Sequence, residues 1–132
     1  METERLLIID QNRHFIETAR RFLSRRKELR AVETASNVDQ ALAALEVFKP
    51  TLILVSDSLL RKNDCLTSAF CKLAEILPAL KVIRLALYSD SANQVLQSGE
   101  GCISGVIGKD DFASNINNLL KENRREKYEF KG

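Results

Sequence analysis

The stretch Thr51-Leu52-Ile53-Leu54-Val55, which runs directly into Ser56-Asp57, is the most apolar of the strands that the sequence predicts. Its four consecutive aliphatic residues show no alternation with polar ones. Such a run is typical of a strand that is buried on both faces of a parallel sheet. The stretch therefore predicts the central strand of an α/β domain.

Strand and helix patterns alternate on both sides of this run. Short apolar runs predict four further strands, at residues 6–9, 29–34, 81–87 and 106–107. Apolar residues at helical spacing predict helices at about 13–27, 37–48, 66–77, 92–97 and 110–120. A parallel connection crosses over through a helix, so five successive strand–helix units predict a doubly wound parallel sheet with five flanking helices.

Helix ends are marked most clearly around the second helix. Asn37 is the expected N-cap, with Gln40 three residues later as its reciprocal partner. Pro50 ends the helix, because proline disfavours helical backbone at the residue before it.

Composition restricts the class of protein. The 132 residues are enough for one domain, and a 45% hydrophobic, 29% charged composition is ordinary for a globular protein. The acidic start lacks a signal peptide, and no apolar run approaches a membrane span of about 20 residues. The three cysteines are an odd number and form no CxxC pair, which is typical of free thiols in a reducing compartment. Together these features predict a cytoplasmic protein.

We expect a globular domain over residues 1–122 and a charged tail, or the start of a linker, over residues 123–132. The net charge of +2 gives no overall nucleic-acid signature. The basic face of the first helix lacks interleaved aromatic residues, so we interpret it as solvated; it comprises Arg20, Arg21, Arg25 and Arg26.

Polar residues follow three of the predicted strands at the point where each ends. They are Asp10 after the first, the pair Ser56-Asp57 after the third and Lys109 after the fifth. The carboxyl ends of parallel strands share one edge of the sheet, where open α/β sheets bind ligands. We therefore expect these side chains to lie in one crevice.

Several short motifs resemble those of the receiver domains of bacterial response regulators, most of all receivers joined to a helix-turn-helix output. The last strand reads Gly105-Val106-Ile107-Gly108-Lys109-Asp110, and Ala35-Ser36-Asn37, Ala41-Leu42 and Lys49-Pro50 follow the same pattern in order and spacing. The resemblance covers roughly residues 5 to 121. It implies a flavodoxin-like sheet with strand order 2-1-3-4-5.

The resemblance also implies a phosphorylation site. Receivers accept a phosphoryl group from a histidine kinase on an aspartate at the end of the third strand. An acid pair after the first strand holds Mg²⁺, a hydroxyl residue ends the fourth strand, and a lysine ends the fifth. The anionic phosphoryl group requires Mg²⁺ and lysine for charge neutralisation. The matching positions here are Asp10 for the metal and Lys109 for the phosphoryl group.

The chain departs from this pattern at several positions. Gln11 replaces the second acid; its amide oxygen can ligate Mg²⁺ weakly but brings no negative charge. Ala86 replaces the switch hydroxyl, and Val106 replaces the aromatic residue that normally follows the switch. The ungapped register, which we favour, puts Ser56 at the acceptor position. A one-residue insertion puts Asp57 there instead, so Asp57 is the candidate phosphoacceptor and a candidate ligand for a weak or absent Mg²⁺ site.

These departures predict a pseudo-receiver that acts in phosphorelay signalling or transcription regulation through protein contacts. Its partner would be a histidine kinase, an output domain or a second copy. A homodimer would use a face that includes Tyr88, Val95, Val106 and either Ile116 or its neighbours. The alternative is that these residues complete the core. The alternative is a competent receiver, phosphorylated on Asp57 with Mg²⁺. An enzyme is not expected, because no glycine-rich phosphate loop or nucleophile elbow is present.

Overall fold

A five-stranded parallel sheet forms the centre of the molecule in the computed structural model, which describes residues 4–87 and 102–129. The strands are β1 Glu4–Ile9, β2 Leu29–Ala35, β3 Leu52–Ser56, β4 Lys81–Ala86 and β5 Gly105–Gly108. Their order is β2-β1-β3-β4-β5, and every neighbouring pair is parallel. The doubly wound sheet and the strand order predicted above are confirmed.

Helices cover both faces of the sheet. Those of the described ranges are α1 Arg13–Leu23, α2 Val38–Phe48, α3 Asp57–Lys62, α4 Asp64–Ile76 and α5 Phe112–Glu129. The helix predicted at 92–97 lies outside the described residues, as do Tyr88 and Val95. Within residues 4–87 and 102–129, no helix combines the length and the apolar character needed to cross a bilayer.

Successive residues of a strand point to opposite faces of the sheet, and they belong to two separate hydrophobic clusters. Leu6 and Ile8 of β1 and Leu52 and Leu54 of β3 pack with α1 and α5. The residues between them pack instead with α2, α3 and α4; they are Leu7, Ile9, Ile53 and Val55. The two clusters define an α1/α5 face and an α2–α4 face. This double burial explains why β1 and β3 are continuous apolar runs.

The start of α2 is capped by side chains as the sequence suggests. Asn37 Oδ1 accepts a hydrogen bond from the backbone N–H of Gln40 at 2.8 Å. Gln40 Oε1 accepts from the backbone N–H of Ser36 at 2.9 Å, one residue earlier than in the usual reciprocal box. Lys49, with a left-handed φ of 49°, ends the helix before Pro50.

Helix α3 was not predicted from the sequence. It begins at Asp57, directly after β3, and buries Leu59 and Leu60 against the α2–α4 face. Six residues are too few to show a helical period, so the pattern did not reveal it. The charges at its ends interact favourably with the helix dipole, with Asp57 in the first turn and Arg61 and Lys62 in the last.

Candidate functional site

The carboxyl ends of β1, β3, β4 and β5 meet at one edge of the sheet. Ile9 pairs with Val55, Ser56 with Leu85, and Ala86 with Gly108. The residues that follow these positions therefore lie along the same edge. The backbone N–H of Lys109 extends this arrangement by donating to the carbonyl of Ala86 at 2.8 Å.

Asp10 and Lys109 form an ion pair at this edge. Lys109 Nζ lies 2.5 Å from Asp10 Oδ2, and the Asp10 side chain is only 3% exposed. The other carboxylate oxygen, Oδ1, accepts from the backbone N–H of Asn12 at 3.0 Å. Both oxygens of this buried acid are thus engaged within the protein.

An aromatic pair supports the lysine side chain. The ammonium group lies 4.7 Å from the centroid of the Phe15 ring, within the range of a cation–π interaction. Phe15 in turn meets Phe112 edge to face, with ring centroids 5.2 Å apart. Both phenylalanines pack on the α1/α5 face, so Lys109 and Asp10 are held on that side of the sheet.

A second charge cluster, which we call the Asp57 triad, consists of Asp57, Arg61 and Arg84. Arg61 Nε lies 2.8 Å from Asp57 Oδ2, one helical turn away in α3. Arg84 Nε lies 3.2 Å from Asp57 Oδ1, and the Arg84 side chain is 4% exposed. The Nε–Oδ1 contact lacks the alignment of a hydrogen bond, so it acts as an ion pair.

The register of the sheet places Arg84 on the opposite face from Lys109. Arg84 in β4 pairs with Val55 in β3, and Val55 belongs to the cluster of the α2–α4 face. Paired residues in adjacent strands point to the same face of a sheet. The arginine therefore reaches Asp57 from the α2–α4 side, whereas Asp10 and Lys109 meet on the α1/α5 side.

The two candidate acceptor residues have different surroundings. Ser56 is the last residue of β3 and is 5% exposed, with its hydroxyl 3.0 Å from that of Ser58. Asp57 is the first residue of α3 and its side chain is 20% exposed. Within the described residues, Lys109 pairs with Asp10 and not with Asp57.

The remaining predicted positions lie at the same edge of the sheet. Ala86, where the resemblance expects a hydroxyl, is buried at the end of β4, and Leu87 beside it is 68% exposed. Gln11 is exposed just after Asp10. Ile116 is fully buried and completes the core, so at this position only its neighbours remain for an exposed partner face.

Arg84 is a site residue to which the sequence analysis assigned no role. The sequence did contain an indication of such a role: Arg84 is the one charged residue in the otherwise apolar run Val82 to Leu87. A buried charge is retained in a protein when it is paired. The sequence could therefore have predicted that Arg84 forms a buried ion pair, although not that Asp57 is the acid it pairs with.

Comparisons with protein-family models and with curated protein sequences returned no match. Solved structures do match. A CheY-like response regulator receiver domain protein from Methanospirillum hungatei superposes with a TM-score of 0.65 at 23% identity, over 95% of this chain and 99% of that one. A two-component transcriptional regulator AraC from Clostridium phytofermentans gives 0.69 at 17% identity, over 92% of each chain.

A third match is RcsB from Salmonella enterica serovar Typhimurium, solved bound to promoter rprA with the phosphomimetic BeF₃⁻. Its TM-score is 0.69 at 13% identity, over 94% of this chain and 61% of that one. These likenesses define the class of fold. The chain has the fold of response-regulator receiver domains, as its motifs predicted.

The Mg²⁺ that the receiver resemblance implies does not fit the side chains of this site. Mg²⁺ binds oxygen ligands, usually one or two carboxylates together with water. Here Lys109 contacts one oxygen of Asp10, and guanidinium groups contact both oxygens of Asp57. Within the described ranges, no group of three or more His, Cys, Asp or Glu residues could hold a metal ion.

Proposed function

We propose that this chain is a receiver-like signalling module with an altered phosphorylation site, and that it acts through contacts with other proteins. The observation that carries the proposal is the Asp57 triad. Each oxygen of the Asp57 carboxylate faces a guanidinium group, Arg61 at 2.8 Å and Arg84 at 3.2 Å. The acid therefore serves as an internal ion-pair partner.

The triad disfavours phosphoryl acceptance for an electrostatic reason. An acceptor carboxylate must present one oxygen to the incoming phosphorus atom while cations neutralise the equatorial oxygens of that group. In this chain, the arginines lie on the acceptor oxygens themselves. Ala86 offers no hydroxyl to the product, and Gln11 adds no charge for a metal.

The partner we propose is a protein: a histidine kinase, an output domain or a second copy of this chain. The fold supports this, because it matches that of regulators described as two-component transcriptional regulator and as promoter-bound RcsB. We propose no enzymatic activity, and we place the module in the cytoplasm, where phosphorelay signalling occurs.

A second candidate function is that of a competent receiver, phosphorylated on Asp57 with Mg²⁺. It is favoured by the position of Asp57 at the tip of β3, where its side chain keeps 20% exposure. If Arg61, which is 65% exposed, moved aside, one carboxylate oxygen would become accessible.

Phosphorylation distinguishes the two functions. The protein is incubated with Mg²⁺ and a small phosphodonor such as acetyl phosphate, and its intact mass is measured beside that of Asp57→Asn. We expect no added phosphate on either protein. A stoichiometric adduct on the wild type that Asp57→Asn lacks would overturn the altered-site proposal and establish the second function.

A further inference from the structure

We propose that the guanidinium of Arg84, together with that of Arg61, takes the place of a divalent cation at Asp57 and keeps this carboxylate neutralised without metal. The proposal rests on the proposed function, since it explains how an altered receiver site balances its charges. It also goes further, because it assigns to Arg84 a defined electrostatic role.

Geometry supports the substitution on both carboxylate oxygens. Arg84 Nε approaches Oδ1 from β4, and Arg61 Nε approaches Oδ2 from within α3. A divalent ion would have to bind the same oxygens at about 2.0–2.1 Å, the distance that Mg²⁺ requires. Two positive groups at this range repel a third, so the arginines exclude an ion by charge as well as by volume.

The attachment of Arg84 makes its charge a permanent part of the site. Its backbone is paired with Val55 on one side and Val106 on the other, inside the sheet. The side chain is 4% exposed and leads along the α2–α4 face to the acid. A guanidinium group stays charged throughout the physiological pH range. Unlike a bound ion, this cation does not dissociate when the metal concentration falls.

Lys109 has a comparable effect on the other acid. Its ammonium group lies at Asp10 Oδ2 and is held over the Phe15 ring. Asp10 and Asp57 are the two acids that would share a metal ion. Each is instead paired with cationic side chains of the protein: Asp10 with Lys109, and Asp57 with Arg84 and Arg61. The predicted consequence is that the protein is insensitive to divalent metal at this edge of the sheet.

Binding of Mn²⁺, a paramagnetic substitute for Mg²⁺, tests the proposal through the electron paramagnetic resonance signal of the unbound ion. The wild type is compared with Asp57→Asn, Arg84→Met and the double variant Arg84→Met/Asp57→Asn. We expect the wild type and Asp57→Asn to bind equally little. Arg84→Met should bind at least about tenfold more tightly, the change that ~1.4 kcal/mol of removed repulsion produces, and the double variant should lose this gain.

Two results would overturn the proposal. One is saturable Mn²⁺ binding by the wild type that Asp57→Asn abolishes. The other is a folded Arg84→Met protein, checked by circular dichroism, that gains no affinity. If Arg84→Met does not fold, Arg84→Gln replaces it, and a folded Arg84→Gln protein that gains no affinity overturns the proposal in the same way. The proposed function is judged separately by the phosphate adduct, so each can fail without the other.

Discussion

The two acids at the edge of the sheet are neutralised in different ways. Asp10 is 3% exposed and has a lysine on one oxygen and a backbone N–H on the other. Asp57 is 20% exposed and has an arginine on each oxygen, one buried and one largely in solvent. The deeper acid, Asp10, therefore depends on one cation, whereas the shallower acid, Asp57, has two cations and access to water.

The largest effect is expected from Lys109→Met. Among the residues that the structure describes, the substitution leaves the buried Asp10 carboxylate with only the hydrogen bond from the backbone N–H of Asn12. Breaking a buried ion pair on one side is strongly destabilising, and we expect a loss of about 3 kcal/mol in the free energy of unfolding. Urea denaturation followed by circular dichroism measures it. A loss below about 1 kcal/mol would show that Asp10 does not depend on Lys109.

A smaller effect is expected from Arg84→Met. The variant removes a buried cation, but Asp57 keeps Arg61 and partial contact with solvent. We expect the free energy of unfolding to fall by about 2 kcal/mol, less than for Lys109→Met. The same urea titration compares the two variants. If Arg84→Met proved the more damaging, the contrast between a deep and a shallow acid would be wrong.

Arg61→Met should have the smallest effect and serves as the matched control within α3. Its side chain is 65% exposed, and pairs of this kind one helical turn apart contribute about 0.3–0.5 kcal/mol. We therefore expect a change of less than about 0.5 kcal/mol, reduced further at high salt. A loss above about 1 kcal/mol would mean that Arg61 and not Arg84 is the principal partner of Asp57.

Much of the fold could be predicted from local signals. Leu52 to Val55 and Leu6 to Ile9 are apolar throughout because both faces of the sheet are covered, and Asn37 is a cap because its side chain meets a backbone N–H three residues away. Each of these patterns is visible in residues that are close together in the sequence. The short helix α3 was missed because six residues do not make a period.

The pairing within the site could not be predicted in the same way. The sequence placed Lys109 near an acidic crevice but could not choose between Asp10 and Asp57. In the folded chain Lys109 lies on the α1/α5 face, where its ammonium group contacts both Asp10 and the ring of Phe15. Likewise, the role of Arg84 depends on its register with Val55, a contact between distant parts of the chain. Such long-range registers are set by tertiary packing.

Neutralisation of Asp57 by Arg84, from within the protein, is measured by a double-mutant cycle. The free energies of unfolding of wild type, Asp57→Asn, Arg84→Met and the double variant give the coupling between the two side chains. We predict a favourable coupling of about 2 kcal/mol, against under about 0.5 kcal/mol for Asp57 with Arg61. A coupling near zero between Asp57 and Arg84 would show that Arg84 does not neutralise this carboxylate.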